Sequence, residues 1–100
     1  MYMVRDIVHC RPGKVRLMVE KFRNISAVMQ EMGHGTPRLL TDASGERFWT
    51  VVIEVSVAKL EDFFVMEQSI MAHESIRKTM ADYHDLVESG RREIYRIEHE

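Results

Sequence analysis

The chain has 100 residues, a hydrophobic fraction of 45%, one cysteine and a net charge of −2 at pH 7. This length predicts a single domain over residues 1–100, and the near-neutral charge argues against a nucleic-acid partner. No apolar run approaches the ~20 residues that span a bilayer, the first ten residues lack the layout of a signal peptide, and a lone cysteine suits a reducing compartment. We therefore expect a cytoplasmic domain without a membrane partner.

Residues 2–10 alternate between the two faces of a predicted strand. One face carries Tyr2, Val4, Asp6, Val8 and Cys10, and the other carries Met3, Arg5, Ile7 and His9. Pro12-Gly13 ends the strand. From Val15 to Met32 apolar residues recur every three or four positions, which places them on one side of a helix that ends at Gly33.

The pattern of residues 39–57 predicts two strands joined by a turn. Leu39 and Leu40 form a short strand behind Pro37, and residues 42–47 form a hairpin turn. Residues 48–57 are rich in β-branched and aromatic side chains, which favours a strand. Its apolar face holds Trp49, Val51, Ile53, Val55 and Val57, and its mixed face holds Phe48, Thr50, Val52, Glu54 and Ser56.

Residues 59–88 have helical periodicity and form either one helix or two, with a break near residues 73–75. Gly90 is predicted to end this helix, and residues 91–99 alternate as a final strand. The predicted order is β-α-β-β-α-β. This is the ferredoxin-like α+β arrangement with an antiparallel sheet.

Two helices cover only one face of a four-stranded sheet. The other face is predicted to expose an interleaved set of apolar and charged side chains: Ile7, Phe48, Val52, Ile94, Arg5, His9 and Glu54. Stacking the sheets of two copies would bury the apolar members, while Arg5 and Glu54 could pair across neighbouring strands. We therefore predict a homodimer formed through the sheet. The alternative is a monomer with a partly solvated sheet.

The stretch "VRDIVHCRPGKVRLMVEKF", followed by the hairpin, the strand and "KLEDFFVMEQSIMAHESIRKTM", resembles the dimeric α+β barrel superfamily. Its members include antibiotic-biosynthesis-type monooxygenases, haem-degrading monooxygenases and NIPSNAP-like proteins. The resemblance covers nearly the whole chain. It implies that two sheets close into a barrel, in agreement with the dimer inferred from the open face.

The adjacent pair His9-Cys10 raises the question of a metal or thiol site. Neighbouring strand residues point to opposite faces, and no second cysteine exists, so this pair is interpreted as part of the strand. The stretch "HESIR" at residues 73–77 has Arg77 where a zinc-protease helix needs a second histidine. We predict no metal site.

Asp6 lies on the strand face assigned to the core, where a carboxylate is costly unless it has a partner or borders a cavity. A misassigned strand face, or an edge position with access to water, would also explain it. The resemblance to haem-degrading monooxygenases implies a further role. Aligned on Pro12-Gly13 and "LEDF", Asp6 takes the position of the family's strand-one Asn and Phe63 that of its helix Trp. His73 follows Phe63 by ten residues, at the position of the haem ligand.

Three function classes follow. The antibiotic-biosynthesis-type members imply a small-molecule-binding protein, or a cofactor-independent monooxygenase acting on an aromatic or polyketide substrate. Its pocket would lie between sheet and helices, with Trp49, Phe63 and Tyr83 as its lining and His73 and Asp6 as its polar or catalytic groups. The second class is a haem-binding relative with His73 as iron ligand. The third is a non-catalytic dimeric module without a cavity.

Overall fold

A computed structural model describes residues 1–100 of the chain. Its elements are, in chain order, β1 (Tyr2–Cys10), α1 (Val15–Glu31), β2 (Arg38–Thr41), β3 (Thr50–Val57), α2 (Leu60–Ala72), α3 (Glu74–Thr79), α4 (Tyr83–Leu86) and β4 (Val87–Arg96). The four strands form one sheet in the order β2-β3-β1-β4, with every neighbouring pair antiparallel. The predicted ferredoxin-like α+β fold is confirmed.

The helices pack on one face of the sheet, and the hydrophobic core lies between the two layers. Helix α1 contributes six buried residues that share one face of the helix: Met18, Val19, Phe22, Ile25, Val28 and Met29. Val4, Val8 and Cys10 of β1 meet them from the sheet. The 3.6-residue period of α1 and the two-residue period of β1 thus point to the same layer, because each element has one apolar face to bury.

The segment between β3 and β4 contains more helices than the sequence predicted. The predicted break falls at His73, whose extended backbone (φ −68°, ψ 130°) ends α2 and begins α3. The His73 ring then caps α3, because its Nδ1 accepts a hydrogen bond from the backbone N–H of Ser75 at 3.2 Å. Three helices, rather than one or two, occupy this part of the chain.

The prediction that Phe48 and Trp49 belong to the third strand was wrong. Strand β3 begins at Thr50, and Trp49 has a φ of +61°, which is unusual for a residue with a side chain. Asp42 accepts a hydrogen bond from the Thr50 backbone N–H at 2.8 Å, and this closes the loop just before the strand. Phe48 lies in that loop, before β3 begins, so it does not belong to the open sheet face, and its side chain is 82% exposed.

Two predictions about the last strand also need correction. Gly90 does not end a helix, because α4 stops at Leu86 and Gly90 lies inside β4 opposite Val8. Ile94 pairs with Val4, and this register puts its side chain on the helix-covered face instead of the open one. The Gly90 error follows from a strand that starts four residues earlier than its alternating pattern indicated, whereas the Ile94 error concerns the register between β4 and β1.

No helix of the chain is long and apolar enough to cross a membrane.

Candidate functional site

A cavity of about 570 Å³ lies between the sheet and the helices. Fourteen of its 20 lining residues are hydrophobic, so it offers an apolar interior. The apolar lining includes Val4, Val8, Phe22, Ile25, Met29, Ile53, Val55, Phe63, Met66, Ile70, Met71 and Met80. This volume falls within the range of about 300–1,000 Å³ that is usual for small-molecule sites.

The sheet side of the cavity is built by strand register. Asp6 of β1 pairs with Ile53 of β3 on one side and with Arg92 of β4 on the other, so the three side chains share the helix-covered face. Gly90 lines the cavity beside Arg92 and has no side chain to fill it. A Cβ there would meet the backbone oxygen of Ile7 at 3.2 Å, which is a tight contact.

The polar part of the lining is an ion cluster of Asp6, Glu67 and Arg92, here called the carboxylate–arginine cluster. Arg92 donates from Nε to Asp6 Oδ1 at 2.7 Å and from Nη2 to Asp6 Oδ2 at 3.1 Å. It also donates from Nη1 to Glu67 Oε1 at 3.2 Å and from Nη2 to Glu67 Oε2. Hydrogen bonds from Arg92 to Asp6 and to Glu67 raise the pKa of the guanidinium, which therefore stays charged.

Asp6 therefore satisfies both conditions that make a carboxylate tolerable on this face. It has a partner, and it borders a cavity instead of close-packed side chains. Its side chain is 32% exposed, as is that of Arg92, so the cluster lies where the cavity meets solvent. The arrangement ties β1, β4 and α2 together at this rim.

Phe63 and Tyr83, two of the predicted ligand-binding residues, also line the cavity. The Arg92 guanidinium carbon lies 5.0 Å from the centroid of the Phe63 ring, a cation–π contact that fixes both groups. Burial, with smaller effects from Cys10 and Asp6, raises the pKa of Tyr83. Its hydroxyl is therefore a neutral group that can donate or accept a hydrogen bond.

His73 and Trp49 do not join this group. Neither lines the cavity, because His73 caps α3 and Trp49 lies in the loop before β3. The predicted convergence of His73 with Asp6 on this cavity is therefore absent. Haem binding itself stays a prediction.

His9 and Cys10 lie on opposite faces of β1, as the strand alternation predicted. Cys10 belongs to the core, while the His9 Nδ1 lies 3.1 Å from the Thr50 hydroxyl on the other face. Burial, with the positive charges of Arg47 and Arg91, lowers the pKa of His9. No group of three or more His, Cys, Asp or Glu side chains is arranged to hold a metal ion.

Sequence reasoning missed Glu67 and Arg92. Glu67 carries a detectable signal, because it follows Phe63 by four residues on the same helix and the two share a face. Arg92 could be matched with Asp6 only by knowing that β1 and β4 are neighbours. That pairing joins residues 86 positions apart, so no local pattern reveals it.

The face of the sheet opposite the helices carries two ordered rows of side chains. In one row Leu40, Val52 and Ile7 are in register across β2, β3 and β1. In the adjacent row the charges alternate across all four strands in the order Arg38, Glu54, Arg5, Glu93. Glu54 accepts from Arg38 Nη2 at 2.6 Å and from Arg5 Nε at 2.7 Å, so the predicted Arg5–Glu54 pair is present.

Comparison with solved structures identifies the fold class. The chain is similar to a NIPSNAP family protein of Agrobacterium tumefaciens, with a TM-score of 0.77 and 18% identity over 95% of this chain and 91% of that one. It is also similar to an uncharacterized NIPSNAP domain protein of Burkholderia xenovorans, with a TM-score of 0.76 and 13% identity over 97% and 94% of the two chains. An antibiotic biosynthesis monooxygenase-like protein of Nitrosomonas europaea matches with a TM-score of 0.71 and 18% identity over 99% and 100%.

The chain thus has the fold shared by these NIPSNAP proteins and the antibiotic biosynthesis monooxygenase-like protein, and the resemblance noted in the sequence is confirmed at the level of the fold. No protein-family model matches the sequence, and no curated protein is a significant match. At these identities the similarity establishes the fold alone.

Proposed function

We propose that this protein binds a small apolar or aromatic molecule in the cavity between its sheet and its helices. The cavity itself is the observation that carries the proposal. A predominantly apolar hollow with a few polar groups at one edge is the usual form of a small-molecule site. A purely structural module would gain stability by filling such a space, because empty volume in a core lowers stability.

The test is to reduce the cavity volume by a larger side chain on the side of the cavity that the sheet forms. Ile53→Phe adds a ring where the Ile53 side chain faces the cavity, so we expect roughly tenfold or greater loss of affinity for N-phenyl-1-naphthylamine, a neutral apolar fluorophore. Affinity is measured by fluorescence titration of the purified protein. Added volume at an open site is tolerated better than in a packed core, so the variant is expected to fold.

Val65→Phe is the matched control, because Val65 is 64% exposed on α2 and does not line the cavity. It makes a comparable aromatic addition and should leave the affinity unchanged. Equal affinity of the Ile53→Phe variant and the wild type would contradict binding at this cavity.

A catalytic form of this function is a cofactor-independent monooxygenase of the antibiotic-biosynthesis type. It is supported by the convergence of Asp6 and Tyr83 on one apolar cavity and by the neighbour from Nitrosomonas europaea. Asp6 would be the polar partner or base and Tyr83 the hydrogen-bond donor to substrate. If this form holds, oxygen uptake with a hydroxylated polycyclic substrate should be lost in the same Ile53→Phe variant.

We also propose that two copies stack through their open sheet faces. The support is the composition of that face: an apolar row of Leu40, Val52 and Ile7 lies beside a row whose charges are already paired. Burying this surface would therefore leave no isolated charge, which is the condition that makes burial of ion pairs tolerable.

Val52→Asp should convert the dimer to a monomer, because it places an unpaired carboxylate in the centre of the apolar row. We expect the dissociation constant to rise by roughly 100-fold, the effect of losing about 3 kcal/mol at the centre of an interface. Sedimentation equilibrium measures this directly. Val65→Asp, on the outer surface of α2, is the control and should remain dimeric. A monomeric wild type would rule out the proposed interface.

A further inference from the structure

The carboxylate–arginine cluster restricts the kind of molecule that the cavity can accept. Asp6 and Glu67 each carry one negative charge, and Arg92 carries the single positive charge held between them. The cluster therefore has a net charge of about −1. Arg91 also borders the cavity, but its register partner is Ile7 on the open face, where its Nε donates to Glu93 Oε2 at 3.1 Å.

Arg92 is not free to bind an acidic ligand. A guanidinium has five N–H donors, and Arg92 directs two hydrogen bonds to Asp6 and two to Glu67. Only one N–H, on Nη1, is left over. A ligand carboxylate would either accept from that N–H beside Glu67 or displace one of the two side chains, and in both cases it would lie close to a carboxylate, which is a repulsive arrangement.

The two carboxylates, in contrast, keep unused acceptor capacity. A carboxylate offers about four lone-pair sites, and Arg92 fills two on each. A neutral ligand with a hydroxyl or amide N–H could donate to these oxygens at the rim while its apolar body occupies the space next to Phe63 and Tyr83.

We propose that the cavity selects neutral apolar molecules carrying a hydrogen-bond donor and rejects carboxylates of the same skeleton, with Glu67 as the residue that determines this specificity. The proposal rests on the proposed binding function, because it concerns the ligand class of the same cavity. Glu67 lies on α2, so its charge can be removed without altering the sheet that forms the floor.

The experiment compares three naphthalenes that differ in one group: 2-naphthol, which is neutral and a donor, 2-methoxynaphthalene, which is neutral without a donor, and 2-naphthoate, which is anionic. Each displaces N-phenyl-1-naphthylamine at pH 7. We expect 2-naphthol to bind tightest and 2-naphthoate to bind roughly tenfold more weakly than 2-methoxynaphthalene, the effect of one net charge at partly solvated distances.

Glu67→Gln keeps the size of the side chain and one acceptor oxygen for Arg92 while removing the charge. In this variant the affinity for 2-naphthoate should lie within about threefold of that for 2-methoxynaphthalene, because the cluster becomes neutral. Glu61→Gln is the matched control: it makes the same charge change at an exposed position on the same helix, away from the cavity. It should leave the discrimination as in the wild type.

A second measurement needs no variant. Raising the salt concentration from about 10 mM to about 1 M shortens the screening length from about 30 Å to about 3 Å, so the wild-type discrimination against 2-naphthoate should shrink. If 2-naphthoate binds as tightly as the neutral probes, or Glu67→Gln and Glu61→Gln behave alike, the proposed selectivity is wrong while binding stands. If none of the three naphthalenes displaces the fluorophore, the selectivity is wrong, and if the fluorophore itself does not bind, the proposed function is wrong as well.

Discussion

Replacing Ile76 with alanine is expected to lower the free energy of unfolding by about 4 kcal/mol, within the range of about 2–5 kcal/mol for truncating a fully buried aliphatic side chain. Ile76 has no exposed surface and is the one buried residue of α3, which has six residues. A helix this short does not form by its own propensity, so its packing against the core holds it in place. The loss would be a large part of the roughly 5–15 kcal/mol of stability of a small domain.

Urea denaturation at a fixed protein concentration measures this loss, and fixing the concentration removes the contribution of association. Val65→Ala is the control, since Val65 is exposed on α2 and should change the free energy by less than about 0.5 kcal/mol. A similar small change for Ile76→Ala would mean that α3 contributes little to the folded state.

Glu54→Ala is expected to lower the free energy of unfolding by about 3 kcal/mol, because it leaves the guanidinium groups of Arg5 and Arg38 without their shared partner. The Glu54 side chain is only 6% exposed, whereas that of Arg38 is 75% exposed. Water can therefore solvate Arg38 after the change, and this places the cost at the low end for a broken buried pair. Glu20→Ala is the control: it removes an exposed ion pair with Arg23 and should lower the free energy of unfolding by no more than about 0.5 kcal/mol.

The Glu54 contribution should also depend on pH. Burial alone would raise the pKa of Glu54, but hydrogen bonds and charge from Arg38 and Arg5 outweigh it and lower the pKa below its ordinary value of 4.5. The unfolded chain therefore binds more protons than the folded chain in the acid range. Stability from Glu54 is complete above pH 4.5 and is lost as the pH falls through the folded-state pKa.

Unfolding experiments at neutral pH and below pH 4.5 test this dependence. The difference in stability between wild type and Glu54→Ala should be smaller at the lower pH, because the wild type loses the same interaction by protonation. A difference that does not change with pH would show that Glu54 stabilises the sheet through packing instead of charge.

The spacing of apolar residues predicted those strands and helices whose structure depends on residues near one another in the sequence. The alternation of residues 2–10 identified β1 and assigned Asp6 to the helix-covered face, and the register of β1 with β3 and β4 agrees. The apolar spacing from Val15 onward identified α1 for the same reason: its side chains must bury one face. The sequence left open whether residues 59–88 break near residues 73–75, and the structure has a helix boundary at His73.

Predictions failed where a backbone change or a distant partner decided the outcome. Trp49 continues the alternation of β3, yet its positive φ interrupts the extended backbone, and the strand begins only at Thr50, whose backbone N–H donates to Asp42. Gly90 is typical of a helix end, but β4 runs through it because β1 supplies backbone partners along its whole length. His73 matched a family spacing, and its local role as a helix cap removed it from the cavity.

The sequence by itself determined the order of strands and helices, the two faces of β1 and the presence of a carboxylate on the buried face, because these depend on residue periods of two and 3.6. Only the tertiary structure decided what that carboxylate does. The antiparallel pairing of β1 with β4 brings Arg92 to Asp6, and packing of α2 brings Glu67 to Arg92. The cavity beside them is lined by residues of both the sheet and the helices, Gly90 of β4 among them, so it is a property of packing between distant segments.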